Sequence, residues 1–202
     1  MVKEAEGVVG RGGAGTARQL RRGAAQLFWK NGYAATTIRE LAELIGVQKA
    51  SLYYHIAGKE DLLYDICVES LGNIHDAVVE ALANESDALA RVHVMIEAHV
   101  ASMLDDKEKH ATMLTELKSL SPARREAVVG LRDGYEKLAR AVISDAQEAG
   151  VLRSDMSAKE LQLGLFNLLN WTIFWYRTDG DLSPGQVSGL LKSLYLDGAL
   201  SE

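Results

Sequence analysis

Apolar residues recur along this chain at helical spacing from residue 17 almost to the end, and nowhere do they alternate as a half-buried strand would. Ala17, Leu20, Ala24, Leu27 and Phe28 trace one face of a helix over 16–31, closed by Gly32. Ile38, Leu41, Ala42 and Ile45 then fall at i, i+3, i+4 and i+7. Thr37 with Glu40 three residues on makes a capping box at the start of that helix. Gly46 is placed to take the left-handed conformation that reverses the chain, with Val47 turning back to the core and a second short helix over 48–55. A longer helix is expected over 59–83, with Leu62, Leu63, Ile66, Ser70 and Ile74 on its inner side. Five more follow, over 86–104, 107–119, 122–149, 157–177 and 184–198. Their punctuation is Asp105-Asp106, Ser121-Pro122, Gly150, the Ser157/Glu160 capping box, Asp179-Gly180 and Ser183-Pro184. The pattern predicts an all-α protein of about nine helices.

The helix over 48–55 spends little on packing. Leu52 is its one large apolar anchor, while Gln48, Lys49, Ser51, Tyr53, Tyr54 and His55 are left to face outward beside the small Ala50. An ordinary solvated helix is the plain alternative. The residue types instead suit a DNA major groove, where Lys and Gln read base edges and hydroxyls and cations hold phosphates. Helix, glycine turn and short helix at this spacing form a helix-turn-helix, the last two helices of a three-helix domain over 16–60. The body, 61–202, is then a helical ligand-binding and dimerisation domain, and 1–15 is a glycine-rich flexible tail. No strand precedes its GVVGRGGAG run, so a dinucleotide-binding loop is not expected there. Arg11, Arg18, Arg21 and Arg22 are available to a DNA backbone or minor groove.

Net charge changes the picture only once it is divided. The whole chain carries −6, a poor balance for a nucleic-acid partner. Residues 1–60, however, hold nine Lys or Arg against five Asp or Glu, and 61–202 hold thirteen against twenty-three. A basic end on an acidic body directs one end alone to phosphates. The single cysteine, Cys67, lies in an apolar run and is expected as a buried free thiol. No stretch is long and apolar enough to span a membrane, and no signal segment opens the chain, so a cytoplasmic protein without a membrane partner is expected.

The run GVQKASLYYHIAGKEDLL resembles the end of the TetR-type repressor DNA-binding domain, in which the helix-turn-helix is followed by a Lys opening a long linking helix. Ile56 stands where that family often has an aromatic, and Gly58 where a Ser or Asn cap is common. The resemblance implies a transcriptional repressor that binds a double-stranded palindromic operator as a homodimer. Together with helix geometry it assigns Gln48, Lys49, Ala50 and Tyr53 to base edges, and Thr37, Ser51, Tyr54, His55 and Lys59 to phosphates. The segment NWTIFWYRTDGDLSP resembles the C-terminal part of TetR-type regulators of fatty-acid and sterol breakdown, some of which respond to acyl-CoA thioesters. It implies a small hydrophobic or acyl-type effector, although no Lys or Arg lies between Lys159 and Arg177 to neutralise CoA phosphates.

The helix over 157–177 is apolar nearly all round and must be covered on two sides. Leu161, Leu165, Leu168, Thr172 and Trp175 are expected to meet a second subunit, joined by Val187, Leu190, Leu191 and Leu194 of the last helix in a four-helix interface. Met95, His99, Met103, His110, Met113, Leu114, Tyr135, Asn167, Asn170, Trp171 and Phe174 mix adaptable apolar groups with sparse polar ones and are the candidate effector pocket. His93 and Glu97 share a face, but no second ligand pair follows, so no metal and no cofactor are expected. Glu116 could act as a base in an apolar pocket, as a polar contact to a ligand or as a surface charge. An enzyme lacks a nucleophile elbow, a phosphate loop in context and an acid/base pair. A sequence-tolerant architectural DNA-binding protein is the other alternative.

Overall fold

The structure, a computed structural model, describes residues 12–44, 46, 48–53 and 56–199. Among these are nine α-helices and one 3-10 turn: α1 (Gly12–Asn31), α2 (Ile38–Leu44), α3 (Lys49–Leu52), α4 (Lys59–Leu82), α5 (Ala88–Asp105), α6 (Lys107–Glu116), the turn Leu117–Ser119, α7 (Pro122–Glu148), α8 (Ala158–Trp175) and α9 (Pro184–Ala199). The all-α architecture agrees with the periodicity. Helix α1 starts ahead of Thr16, taking the last residues of the expected tail, and α3 is a single turn. Arg11, Ile45, Val47, Tyr54 and His55 lie outside the described residues.

The helix starts are set by local chemistry. Glu40 N–H donates to Thr37 Oγ1 at 3.2 Å while Thr37 N–H donates to Glu40 Oε2 at 2.7 Å, a complete capping box on α2. Ser157 and Glu160 repeat it on α8, Asp87 caps α5 through Ala90 N–H, and Pro122 opens α7. Gly46, at φ +71°, makes the reversal between α2 and α3 in a backbone region costly for any residue with a Cβ.

Among the described residues, two apolar clusters fill the interior. One joins Leu20, Ala24 and Phe28 of α1, Leu41 of α2 and Leu52 of α3 to Leu62, Leu63, Ile66, Cys67 and Leu71 of α4, and also takes in Met113, Leu120 and Val128. The other packs α4 from Ile74 onward with α5, α7, α8 and α9. The N-terminal core therefore runs past residue 60 and into the helices of the body. Polar contacts tighten the same seam: Glu60 Oε1 accepts from Ser121 N–H at 2.9 Å, Arg124 pairs with Asp61, and Arg21 with Glu69 at 2.8 Å. Cys67 is fully buried among these groups, and burial pushes its thiol up to about 12.

Candidate nucleic-acid interface and effector cavity

Short helix α3 hangs from one anchor. Leu52 is fully buried, which leaves Gln48, Ala50 and the half-exposed Tyr53 on the open side, and Thr37 is exposed at the head of α2. The side chains of Lys49 and Ser51 are outside the described set, as are Tyr54 and His55. The open side carries amide, methyl and phenol groups within one turn of helix, a suitable size for one groove of a duplex.

Lys59 is turned to another task than the phosphate contact assigned to it. Its Nζ donates to the carbonyls of Tyr33 at 2.6 Å, Thr36 at 2.7 Å and Ala34 at 3.4 Å, and sits 4.3 Å from the centre of the Tyr33 ring. An ammonium has three N–H groups, and all three are engaged within the chain. Desolvation lowers its pKa, against the pull of Glu116 and Glu40. Lys59 thus ties the start of α4 to the α1–α2 connection, because the chain there has carbonyls without helical partners. Lys59→Ala is expected to destabilise the protein by about 2 kcal/mol, the range for hydrogen bonds to a charged group, while the slope of log K for DNA against log salt stays unchanged. A slope lowered by about one would restore the phosphate role.

Glu116 belongs to the same junction. Its Oε1 accepts from Tyr33 N–H at 3.2 Å and its Oε2 from Ser119 Oγ at 3.0 Å, so it is neither a base in a pocket nor a free surface charge. Thr112 Oγ1 donates to Ala25 O at 3.0 Å in the buried interior. Helix α6 is therefore bolted to α1 and to the turn after it. Sequence reasoning missed this, since residues some eighty positions apart carry no local signal.

Helices α4 to α8 surround a narrow cavity of about 40 Å³, lined by Leu71, Ile74, His99, His110, Met113, Leu114, Arg132, Tyr135, Glu136, Phe166 and Asn170. Six of the expected pocket residues meet here: His99, His110, Met113, Leu114, Tyr135 and Asn170. Met95 and Met103 do not; they face the core, almost fully buried. Phe166 could have been found from Asn170, one turn away on the same face of α8. Nothing in the sequence marks Arg132 and Glu136, polar positions beside a buried Tyr on α7. His99 Nδ1 lies 2.7 Å from Tyr135 Oη, and Tyr135 stacks on Phe166 with ring centres 5.4 Å apart. His110 bridges two helices, with Nδ1 3.2 Å from Ser70 Oγ of α4 and Nε2 3.3 Å from Asn170 Oδ1 of α8. Desolvation pushes His99 down to about 3, with His110 adding to it, and His110 down to about 4, against the Asn170 hydrogen bond. Both imidazoles are neutral at pH 7. Burial also raises the Tyr135 phenol, which stays protonated.

The expected interface divides. Leu161, Leu165, Thr172, Val187 and most of Leu191 are buried in the chain's own core, while Leu168 is half-buried. Trp175, Leu190 and Leu194 are exposed, and so are Trp171 and Phe174, which were expected in the pocket. Asn167, Trp171, Trp175, Leu190 and Leu194 instead line an open, mainly apolar groove of about 520 Å³ between α8 and α9. The error is a rotation of α8: both stripes pass through Leu161, Leu165 and Thr172, but the buried one continues through Leu169 and Ile173. On a helix apolar all round, periodicity has no polar face by which to choose. Trp29 of α1 meets this edge, its ring 5.8 Å from Phe174, which lies 4.6 Å from Trp171. Among the described residues, no group of three or more His, Cys, Asp or Glu could hold a metal ion, and no helix is long and apolar enough to cross a membrane.

Comparison with known proteins places both halves of the chain. The family profile "Bacterial regulatory proteins, tetR family" matches residues 20–66, and "Tetracyclin repressor-like, C-terminal domain" matches residues 85–199. The repressor KstR2 of Rhodococcus jostii is 27% identical over 192 residues, 94% of each chain. The crystal structure of the TetR-family regulator PfmR from Thermus thermophilus is 33% identical, covering 89% of this chain and 97% of that one, with a TM-score of 0.82. A structure of AibR in complex with isovaleryl coenzyme A and operator DNA shares the fold at 21% identity and a TM-score of 0.79, over 90% of this chain and 98% of that one.

Proposed function

The chain belongs to the TetR family of bacterial transcriptional regulators and is not an enzyme, and from that premise we propose that it is a dimeric repressor of a palindromic operator, released by a small hydrophobic or acyl-type effector. The observation that carries the release mechanism is that the cavity and the N-terminal core share a wall. Leu71 and Met113 belong to both, and Leu114 packs against both clusters. An effector that spreads the cavity displaces α6, and α6 takes α1 and its following turn with it through Thr112 and Glu116. Packed cores shift between discrete arrangements, so a small displacement there becomes a rotation of the DNA-reading unit. The AibR complex, which holds isovaleryl coenzyme A, supports an acyl-type ligand by analogy.

The domains follow the same division, with 16–60 reading DNA and 61–202 binding effector and partner. In this reading Gln48, Lys49, Ala50 and Tyr53 contact base edges, and Thr37, Ser51, Tyr54 and His55 hold phosphates. One such unit reads only a few base pairs; two held at a spacing of roughly 34 Å or a multiple of it read a palindrome. The groove lined by Trp171, Trp175, Leu190 and Leu194 is the surface that would hold the second copy, and Leu168 and Leu191 also line it.

The test is a binding assay at fixed salt. A repressor prefers its operator over random DNA by on the order of a thousandfold or more, and an architectural protein shows no such preference. Gln48→Ala is expected to relax discrimination at one position of each half-site by about 1–3 kcal/mol while leaving affinity for random DNA unchanged. A uniform loss on all sequences would remove Gln48 from the base-reading set.

A further inference from the structure

The cavity contains buried donors, Nε2 of His99 and Nε of Arg132, that find no hydrogen-bond acceptor among the described residues. The position of the His99 proton follows from its neighbour. The Tyr135 hydroxyl is buried and must donate, and the acceptor within reach is His99 Nδ1 at 2.7 Å. A neutral imidazole that accepts at Nδ1 carries its hydrogen on Nε2. Arg132 Nε lies 3.5 Å from Glu136 Oε1, near enough for an ion pair but outside hydrogen-bond geometry. Buried donors are almost always partnered, so two on one wall define what that wall accepts. Around them Ile74, Met113 and Phe166 offer only apolar surface.

We propose that this cavity recognises an acyl group by its carbonyl oxygen, which accepts from His99 Nε2–H, while a second oxygen of the same ligand accepts from Arg132. The proposal rests on the reading of the cavity as the effector site and deepens it. The donor pattern excludes a ligand that is hydrocarbon alone. At about 40 Å³ the cavity seats the carbonyl and its first carbons, and the unbranched Met113 is the side chain that adapts to the remainder. A free carboxylate offers both oxygens on one carbon, whereas a thioester offers one acyl oxygen, to His99, and leaves Arg132 to the oxygen of an amide beyond the sulfur. Arg132 already faces Glu136 at 3.5 Å and Asp133 at 3.8 Å, so its charge is offset and selects neither source, and His99 serves either.

The test is calorimetric titration of the full chain with S-butanoyl-N-acetylcysteamine, with butanoate, and with the thioether S-butyl-N-acetylcysteamine, which replaces the carbonyl by a methylene. The thioester is expected to bind on the order of tenfold tighter than the thioether, the value of a buried donor gaining its acceptor. In the double variant His99→Phe, Tyr135→Phe, which leaves neither partner stranded, the preference disappears and the thioether binds as before. Circular dichroism confirms that the variant is folded, and the wild-type comparison stands without it. Tighter binding of butanoate than of thioester, lost in Arg132→Gln, identifies the free acid as the source; the reverse order identifies the thioester. Equal affinity for thioester and thioether overturns the carbonyl assignment and leaves the effector cavity standing. If none of the three binds, both readings fall.

Discussion

Leu194→Glu is expected to give a folded monomer that has lost tight operator binding. Leu194 is 57% exposed in the isolated chain, so a charge there is solvated and changes the stability of the subunit by less than about 0.5 kcal/mol. In a dimer built on the α8–α9 groove the same position is buried twice, once from each copy, and an unpaired buried charge costs about 3–5 kcal/mol. The dimer constant should therefore weaken by a factor of about a hundred or more in sedimentation equilibrium. Operator affinity should fall with it, since separated half-site readers lose the advantage of being linked. The groove is the natural place for a partner because six large apolar side chains, Leu163, Trp171, Phe174, Trp175, Leu190 and Leu194, are each more than 40% exposed along α8 and α9. A Leu194→Glu protein that sediments like the wild type would place the interface elsewhere.

Acid should unfold this protein through its cavity. His99 and His110 are buried and neutral, with folded pKa values near 3 and 4, whereas each in the unfolded chain titrates near 6.5. As pH falls below 6.5 the unfolded state takes up protons that the folded state refuses, so stability is fully present above that value and is lost as pH drops toward 4. With two such groups the slope approaches roughly 3 kcal/mol per pH unit, and by pH 5 the loss is roughly 4 kcal/mol, a large part of the 5–15 kcal/mol typical of a domain. Urea denaturation at pH 7, 6 and 5 measures it. The double variant His99→Phe, Tyr135→Phe should halve the slope, because one of the two histidines is gone. Equal stability at pH 7 and pH 5 would mean that the imidazoles are hydrated or charged in the folded chain.

Much of the DNA-reading unit was legible because its signals are local. A cap needs only Thr37 and Glu40, a reversal only Gly46, and an anchor only Leu52 standing alone among polar neighbours. The role of Lys59 was not legible. Its charge and position suit a phosphate, and only the fold brings three carbonyls of the α1–α2 connection within reach of its Nζ. The cavity was half legible. Histidines, methionines and asparagines in an apolar helical body point to a pocket, but which of them face inward depends on the rotation of each helix about its axis. That rotation decided against Met95, Met103, Asn167, Trp171 and Phe174, and in favour of Arg132, Glu136 and Phe166.

The sequence by itself determined the helices, the capped starts of α2, α5, α7 and α8, the helix-turn-helix and the separation of charge between a basic end and an acidic body. All of these depend on residues within a turn or two of one another, or on composition alone. Tertiary structure alone decided which face of α8 is buried, how α6 fastens the cavity wall to α1, and that a buried Tyr135 sets the proton of His99. Those depend on groups some forty to ninety residues apart, whose meeting is fixed by how apolar helices share a core rather than by any pattern along one of them.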